Sequence, residues 1–400
     1  MSMGRVDIAV IRHGDPVAEV FENSLRFDTV FGYESQVEYA IGERKALIIG
    51  KRDKRKSAKK GNILLETIPV NIGFAPRRWA NKIYYEYMLT LYWLMRTNPR
   101  VVVSIGHSYD HIVAHIYSHI AEAKHVIALT GNIFWGRSPV KKFFQGMIKH
   151  IVRDTGRVTV LSNGKAPIVE LENAGLKTDH IIEYGPYYPP EYFVDVELEP
   201  IFYDGDTFKI LFVGRLDGTK GEFDFVRAAK MVVEQVDERE LGKKLRFTVI
   251  GDGPKRTELE RFIGELGLGN YFMVLGMKPS FSIYSYMRHA DIVAVPSYLE
   301  GLGKVLIEAK MAGAATVAYK TGGLRYLIED GVDGLFVDRG DVGGLAKRII
   351  ELIENDELRQ KISRNALKTR EKYTDFKNSF AYKLREVLDE ILGKEGSGLK

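Results

Sequence analysis

Tyr298-Leu299-Glu300-Gly301-Leu302-Gly303-Lys304-Val305-Leu306-Ile307-Glu308-Ala309 follows an apolar run that closes at Val295-Pro296. A β-branched run passing through two glycines into an amphipathic stretch is the start of a strand–turn–helix unit. Gly301 and Gly303 have no Cβ where the helix begins, so a ligand can approach bare backbone. The first helical amides, those of Gly303, Lys304 and Val305, are expected to point at that ligand. The positive end of the helix dipole stands behind them, which suits a diphosphate. Glu300 precedes the helix and Glu308 lies about one turn inside it, so two carboxylates flank such an anion. Each can accept a pair of hydroxyl hydrogen bonds, as a ribose or sugar diol offers. The segment also reads as a capped helix with two surface acids, and its neighbours decide between these readings.

Working outward, Phe212-Val213-Gly214-Arg215-Leu216-Asp217-Gly218-Thr219-Lys220-Gly221 repeats the strand–glycine–helix pattern. Arg215 offers a planar fork and Lys220 a point charge, and from one turn both can neutralise a diphosphate leaving group. A third turn, Gly251-Asp252-Gly253-Pro254, follows the next strand. One glycine turn says little, since any βα junction can use glycine. Three in one region, with cations and paired acids, point to a nucleotide site.

The same alternation fills most of the chain. Strands are predicted at 6–11, 46–49, 63–68, 101–105, 125–129 and 158–161, with helices over 77–97, 108–121, 140–153 and 166–174. In the second half strands are predicted at 209–213, 246–250, 272–275, 292–295 and 316–318. Helices are predicted over 221–236, 255–266, 282–288, 304–312 and 324–329. Strands this apolar belong to parallel sheets covered on both faces. The pattern therefore predicts an α/β fold built as two Rossmann-like domains facing across a cleft. The proline-rich stretch Tyr184-Gly185-Pro186-Tyr187-Tyr188-Pro189-Pro190 marks the break. The expected domains are 1–184 and 207–373, the second carrying the three glycine turns of the nucleotide site. Residues 185–206 form the linker, and a final helical segment over 374–400 is expected to pack back across the domains.

From Lys209 to Tyr373 the chain resembles the retaining glycosyltransferases of the GT-B architecture, the large group called family 4. The resemblance rests on the Gly-Arg-Leu turn followed by Lys220 and Gly221, the Gly-Asp-Gly-Pro turn, and Glu300 with Glu308 eight residues on. Ala309-Lys310-Met311-Ala312-Gly313 and Glu329-Asp330-Gly331-Val332-Asp333-Gly334 continue it. It implies that Arg215 and Lys220 hold the donor diphosphate, Glu300 contacts the transferred sugar and Glu308 the ribose. The N-terminal half resembles the family only loosely. Where relatives carry a glycine pair after the first strand, this chain reads Arg12-His13-Gly14-Asp15-Pro16, with Gly14 alone. Where many place a histidine, it reads Ala128-Leu129-Thr130-Gly131. His107, in Ser104-Ile105-Gly106-His107, matches another histidine of the pattern and joins the catalytic candidates.

Composition narrows the classes further. Hydrophobic residues at 45% and charged residues at 28% describe a folded globular chain rather than a disordered one. The absence of cysteine excludes disulfides, thiolate metal sites and cysteine nucleophiles. The net charge of +5 is concentrated in Lys51-Arg52-Asp53-Lys54-Arg55-Lys56-Ser57-Ala58-Lys59-Lys60. That run reads as a solvated loop between strands, without the aromatic platforms of a nucleic-acid site. The stretch from Arg137 to His150 carries Phe143, Phe144, Met147 and Ile148 beside basic residues. It reads as a helix packing its apolar stripe on the sheet. Together with the 51–60 run and the aromatic helix from Trp79 to Trp93, it leaves peripheral membrane contact and a lipid-linked acceptor open. His107, His111, His115 and His119 recur every four residues. The repeat drifts round a helix, and no acid beyond Asp110 completes a ligand set, so it reads as packing rather than metal binding.

No leader peptide is legible, and no apolar stretch approaches the ~18 residues of a membrane span. The expectation is a cytoplasmic enzyme, peripheral to the inner face of the membrane at most. It would transfer a sugar from a nucleoside diphosphate donor to a glycan or lipid-linked acceptor, with retention and without a metal or other cofactor. A nucleotide-sugar epimerase or a non-catalytic nucleotide-sugar binder remains as the alternative. A dehydrogenase is the weakest, because the first strand lacks Gly-x-Gly-x-x-Gly.

Overall fold

The computed structural model describes residues 5–12, 33–52, 57–69, 79–106, 108–130 and 139–393. Gly14 and His107 lie outside these residues, as do 53–56 of the basic run and 131–138. The chain forms two compact units, Met1–Tyr187 with Phe376–Lys400, and Tyr188–Asp375.

The first unit is built on an eight-stranded sheet: β1 (Ile8–Ile11), β2 (Ala46–Arg52), β3 (Ser57–Lys60), β4 (Ile63–Pro69), β5 (Val101–Ile105), β6 (Lys124–Leu129), β7 (Val158–Asn163) and β8 (Ile182–Tyr184). Their order is β3-β4-β2-β1-β5-β6-β7-β8. All pairings are parallel except β3 with β4. The continuous apolar runs have a direct cause. Ile8 and Val10 enter one core with Val101, Val103, Phe380 and Leu384. Ala9 and Ile11 enter another with Val102, Trp93, Leu94 and Tyr117. Successive side chains point to opposite faces, so a strand covered on both sides has no polar position to spare. The last helix, Phe380–Leu392, belongs to this unit and lies under its sheet, where Arg44 pairs with Asp389.

The second unit holds six parallel strands: β9 (Thr207–Val213), β10 (Lys244–Ile250), β11 (Phe272–Gly276), β12 (Ile292–Val295), β13 (Ala315–Tyr319) and β14 (Leu335–Val337), ordered β11-β10-β9-β12-β13-β14. Phe208, Ile210 and Phe212 alternate into one core and Leu211 into the other. The order reverses between β9 and β12, and such a switch point opens a crevice at the carboxyl ends of the strands.

Two expectations are corrected. Residues 324–329 do not form a helix; a 3₁₀ turn spans Gly322–Tyr326 instead. Its backbone is pressed against the 300–301 loop, and a Cβ on Gly322 or Gly323 would lie 2.0 Å from the carbonyl oxygen of Glu300 or Gly301. That tertiary fit overrides local helical preference. The basic run is not wholly a loop: Ser57–Lys60 forms the edge strand β3, antiparallel to β4 and largely exposed. Lysines on an edge strand blunt its free backbone groups.

Candidate functional site

The glycine turns of the second unit assemble at the carboxyl ends of β9, β10 and β12. Gly214 donates its amide to Ile250 O, and Leu216 donates to Asp252 O, so the first two turns are stitched together. Gly251 sits at φ +149°, where a Cβ would be 1.8 Å from Gly214 O. Gly253 is equally confined, with Leu216 O 2.3 Å from its Cβ position. Glycine at both places is a packing requirement, because any side chain would separate the two turns.

Gly221, at φ +75°, backs onto Pro296 O in the same manner, its Cβ position 2.0 Å away. Tyr298 donates its amide to Thr219 O. These contacts bring the β9 turn to the β12 loop. As a result Lys220 Nζ lies 2.7 Å from Glu300 Oε1 and also donates to Leu299 O at 3.3 Å. Ser297 Oγ donates to the same Glu300 oxygen at 3.1 Å. Gly214 adjoins the Lys220 stem, whose Cβ would be 3.3 Å from a Cβ there. Gly303, at φ +86°, then opens helix Lys304–Ala312.

Two acids support this arrangement from below. Glu222 Oε1 accepts the Gly218 amide at 2.6 Å, closing the β9 turn. The residue is fully buried, and burial pushes its carboxyl above the usual range. Asp224 accepts hydroxyl protons from Tyr298 at 2.5 Å and Tyr319 at 2.9 Å. Arg227 pairs with its other oxygen at 3.0 Å.

Glu308 faces a different partner. Its Oε1 accepts the Tyr188 hydroxyl proton at 2.8 Å. Tyr188 is buried, and burial followed by the Glu308 charge raises its phenol well above the ordinary value, so it stays a donor. Arg215 behaves otherwise. It is 71% exposed in its side chain and lies 3.4 Å from Asp217. It lines a cavity of about 660 Å³ with Gly214, Gly251, Asp252, Gly253 and Lys278. Lys278 is fixed at the wall by Glu199 at 2.7 Å, and Tyr286 donates to the same carboxylate.

The structure thus brings Lys220, Glu300 and Gly214 together, packs Gly251 and Gly253 against the first turn, and sets Gly301, Gly303, Lys304 and Val305 where β12 gives way to its helix. Sequence reasoning missed Ser297, Glu222, Tyr188 and Lys278. Ser297 sits three residues before Glu300 and was within reach; Tyr188 and Glu199 are distant in sequence from the groups they hold.

Residues 197–369 match the family described as glycosyl transferases group 1. The chain is 31% identical over 153 residues to 2-deoxystreptamine N-acetyl-D-glucosaminyltransferase of Niallia circulans, covering 38% of each protein. It is 35% identical over 158 residues to D-inositol 3-phosphate glycosyltransferase of Corynebacterium kroppenstedtii, covering 39% of this chain and 35% of that one. These matches span less than half the length of the curated relatives. In fold the likeness extends further. Sucrose-phosphate synthase from Thermosynechococcus elongatus matches at a TM-score of 0.73 and 16% identity, over 97% of this chain and 99% of that one. The structure of Anabaena Alr3699/HepE in complex with UDP matches at 0.67 and 18% identity, over 96% and 99%. The fold class is therefore that of the GT-B glycosyltransferases, two α/β units each with a parallel sheet.

Proposed function

We propose that this protein is a retaining glycosyltransferase that moves a sugar from a nucleoside diphosphate donor to a hydroxyl of a glycan, glycolipid or lipid-linked acceptor. The observation that carries the reading is the Lys220–Glu300 pair at 2.7 Å, set between the Gly214 turn and the start of helix Lys304–Ala312. A cation, a carboxylate and a helix N-terminus at one strand edge match the charges of a sugar diphosphate, anionic at phosphate and hydroxylated at sugar. The match of residues 197–369 and the glycosyl-transferring relatives support the class, and the UDP complex of one fold neighbour supports the donor type.

In this reading Lys220 and Arg215 stabilise the departing diphosphate with the amides at 303–305, the largest catalytic contribution in such chemistry. Glu300 orients the transferred sugar, and Glu308, steadied by Tyr188, receives the ribose hydroxyls. The bond from the anomeric carbon to phosphate breaks, and the acceptor oxygen bonds to that carbon on the same face. Its proton passes to a phosphate oxygen. Protein cations do the neutralising, so the reaction requires no metal.

The acceptor belongs to the N-terminal unit, which also supplies His107 as a catalytic candidate and Gly14 as a donor-binding one. Phe143 is 62% exposed on helix Pro139–Arg153, beside exposed Lys142, while Ile148 packs inward. That exposed pair and the lysines of 51–60 support a peripheral contact with an anionic membrane on its cytoplasmic face. No helix among the described residues is long and apolar enough to cross a membrane.

The test is calorimetric titration with UDP, GDP and ADP in the presence of EDTA. Saturable binding of one nucleotide, weakened in Glu308→Gln, is the expected result. A folded protein that binds none of the three rejects the donor site.

A further inference from the structure

His115 and His119 share one face of helix Ser108–Ile120, and Asp154 follows the end of helix Pro139–Arg153 beside them. His119 Nε2 lies 3.3 Å from His115 Nε2 and 3.2 Å from Asp154 Oδ2. All three ligand atoms fall within 4.8 Å of one another. The acid that the sequence did not supply near the histidine repeat comes from the neighbouring helix, 35 residues beyond His119.

A ring nitrogen holds at most one proton. His119 Nε2 can therefore satisfy one of its two close partners by donation and must leave the other contact poorly matched. A cation among the three would accept a lone pair from each. Zinc bonds nitrogen and oxygen ligands at about 2.0–2.2 Å, which places neighbouring ligands of a tetrahedral ion roughly 3.3–3.5 Å apart. The two short edges, 3.3 and 3.2 Å, come close to this length.

We propose that His115 Nε2, His119 Nε2 and Asp154 Oδ2 bind a divalent cation of the zinc type, with a fourth position open to solvent. The surroundings fit. His115 is 7% exposed, and its Nδ1 has no hydrogen-bond partner among the described residues. A metal on Nε2 would put the ring proton on Nδ1, where histidine ligands usually donate to a second group and where this ring has none among the described residues, so packing orients the buried ring. The His125 ring, whose Nδ1 is also unpartnered, lies 5.9 Å away, centroid to centroid. The His150 ring lies 6.4 Å from His115. Arg157 is the opposing charge: its Nε is 4.0 Å from Asp154 Oδ2, but Nη1 is committed to Ser118 O at 2.8 Å.

The place in the fold says what the ion does. His119 and Asp154 lie just ahead of β6 and β7, at the amino edge of the sheet, and ligands of such sheets sit at the carboxyl edge. The ion joins the ends of two adjacent helices, so its role is to stabilise the first unit rather than to take part in transfer. It binds the folded chain in preference to the unfolded one and raises stability by mass action.

The full chain, stripped with EDTA and then dialysed free of it, is titrated with zinc chloride by calorimetry, and its melting is followed with and without zinc. One equivalent of binding and a rise in Tm are expected. His119→Ala and Asp154→Asn alter half-exposed and partly exposed side chains, so both are expected to fold, as circular dichroism checks. Each should weaken zinc binding by about tenfold or more, with loss of the Tm rise. Cobalt(II) should give the intense visible absorption of a tetrahedral site in the parent and not in either variant. Absence of zinc binding in the parent, or affinity unchanged in both variants, overturns the site. Nucleotide titration of His119→Ala is expected to match the parent, which separates this outcome from that of the donor site.

Discussion

Lys220 and Glu300 are 80 residues apart in the chain and 2.7 Å apart in the fold, the ammonium of one turn against the carboxylate of another. The pair exists because Gly221 backs onto Pro296 and Tyr298 donates to Thr219. Lys220→Met removes the cation that lies against Glu300, whose side chain is 13% exposed. Turnover is expected to fall about 10²–10³-fold, and stability by about 1–2 kcal/mol. Steady-state kinetics and thermal melting read the two effects. Arg215→Ala should separate them: its side chain is 71% exposed, so turnover drops with Tm unchanged. A normal rate in that variant removes Arg215 from the mechanism.

Tyr188→Phe probes the other acid. The phenol donates to Glu308 Oε1 at 2.8 Å, and its loss leaves Glu308 less firmly held. Nucleotide affinity is expected to weaken by about three- to tenfold, the size of one hydrogen bond. Calorimetry should find Glu308→Gln weaker than Tyr188→Phe. The reverse order would contradict a direct contact between Glu308 and the ribose.

Gly251→Ala forces a Cβ to within 1.8 Å of Gly214 O, against backbone that cannot swing aside. The expected cost is about 2–3 kcal/mol, from strain and separation of the two turns. Gly269→Ala is the matched control, because nothing lies within 4 Å of its Cβ position. Melting curves should place the control within about 0.5 kcal/mol of the parent.

His125, together with His115, makes the first unit sensitive to acid. His125 is fully buried, and burial, then the proximity of His111 and His115, hold its imidazole well below the ordinary value. The folded state keeps it neutral while the unfolded state takes up a proton below about pH 6.5. Stability is thus fully present above that pH and is lost as pH falls, by about 1.4 kcal/mol per unit for this group. Its Nε2 partner is Ser104 Oγ at 2.8 Å. Melting in EDTA between pH 7 and 5 should show a shallower decline for His125→Gln, whatever that variant costs at pH 7. Parallel declines would rule out His125 as the responsible group.

What was legible in the sequence follows from which forces are local. β1 and β5 are buried at every position and read directly as apolar runs. β3 was not legible, because Ser57-Ala58-Lys59-Lys60 owes its extended form to pairing with β4 and not to its own residues. β8 and β14, three residues each, are too short for any periodicity. In the site, the glycine turns and their cations announced themselves by spacing. The Tyr188–Glu308 contact spans 120 residues and the Lys278–Glu199 contact 79, so no pattern of neighbours could reveal either.

The division of the chain has a consequence for its synthesis. The second unit is one continuous stretch, Tyr188–Asp375, whereas the first needs both its opening segment and Phe376–Lys400. Phe380, Leu384, Val387 and Leu388 fill a core shared with Ile8, Val10 and Val101. A ribosome makes the first sheet before the second unit, but the helix that seals that sheet only after it. The second unit, made in between, can reach its final form while the first still exposes apolar surface. The nascent first unit must therefore wait, shielded or at risk of association, until the closing turns of helix leave the exit tunnel.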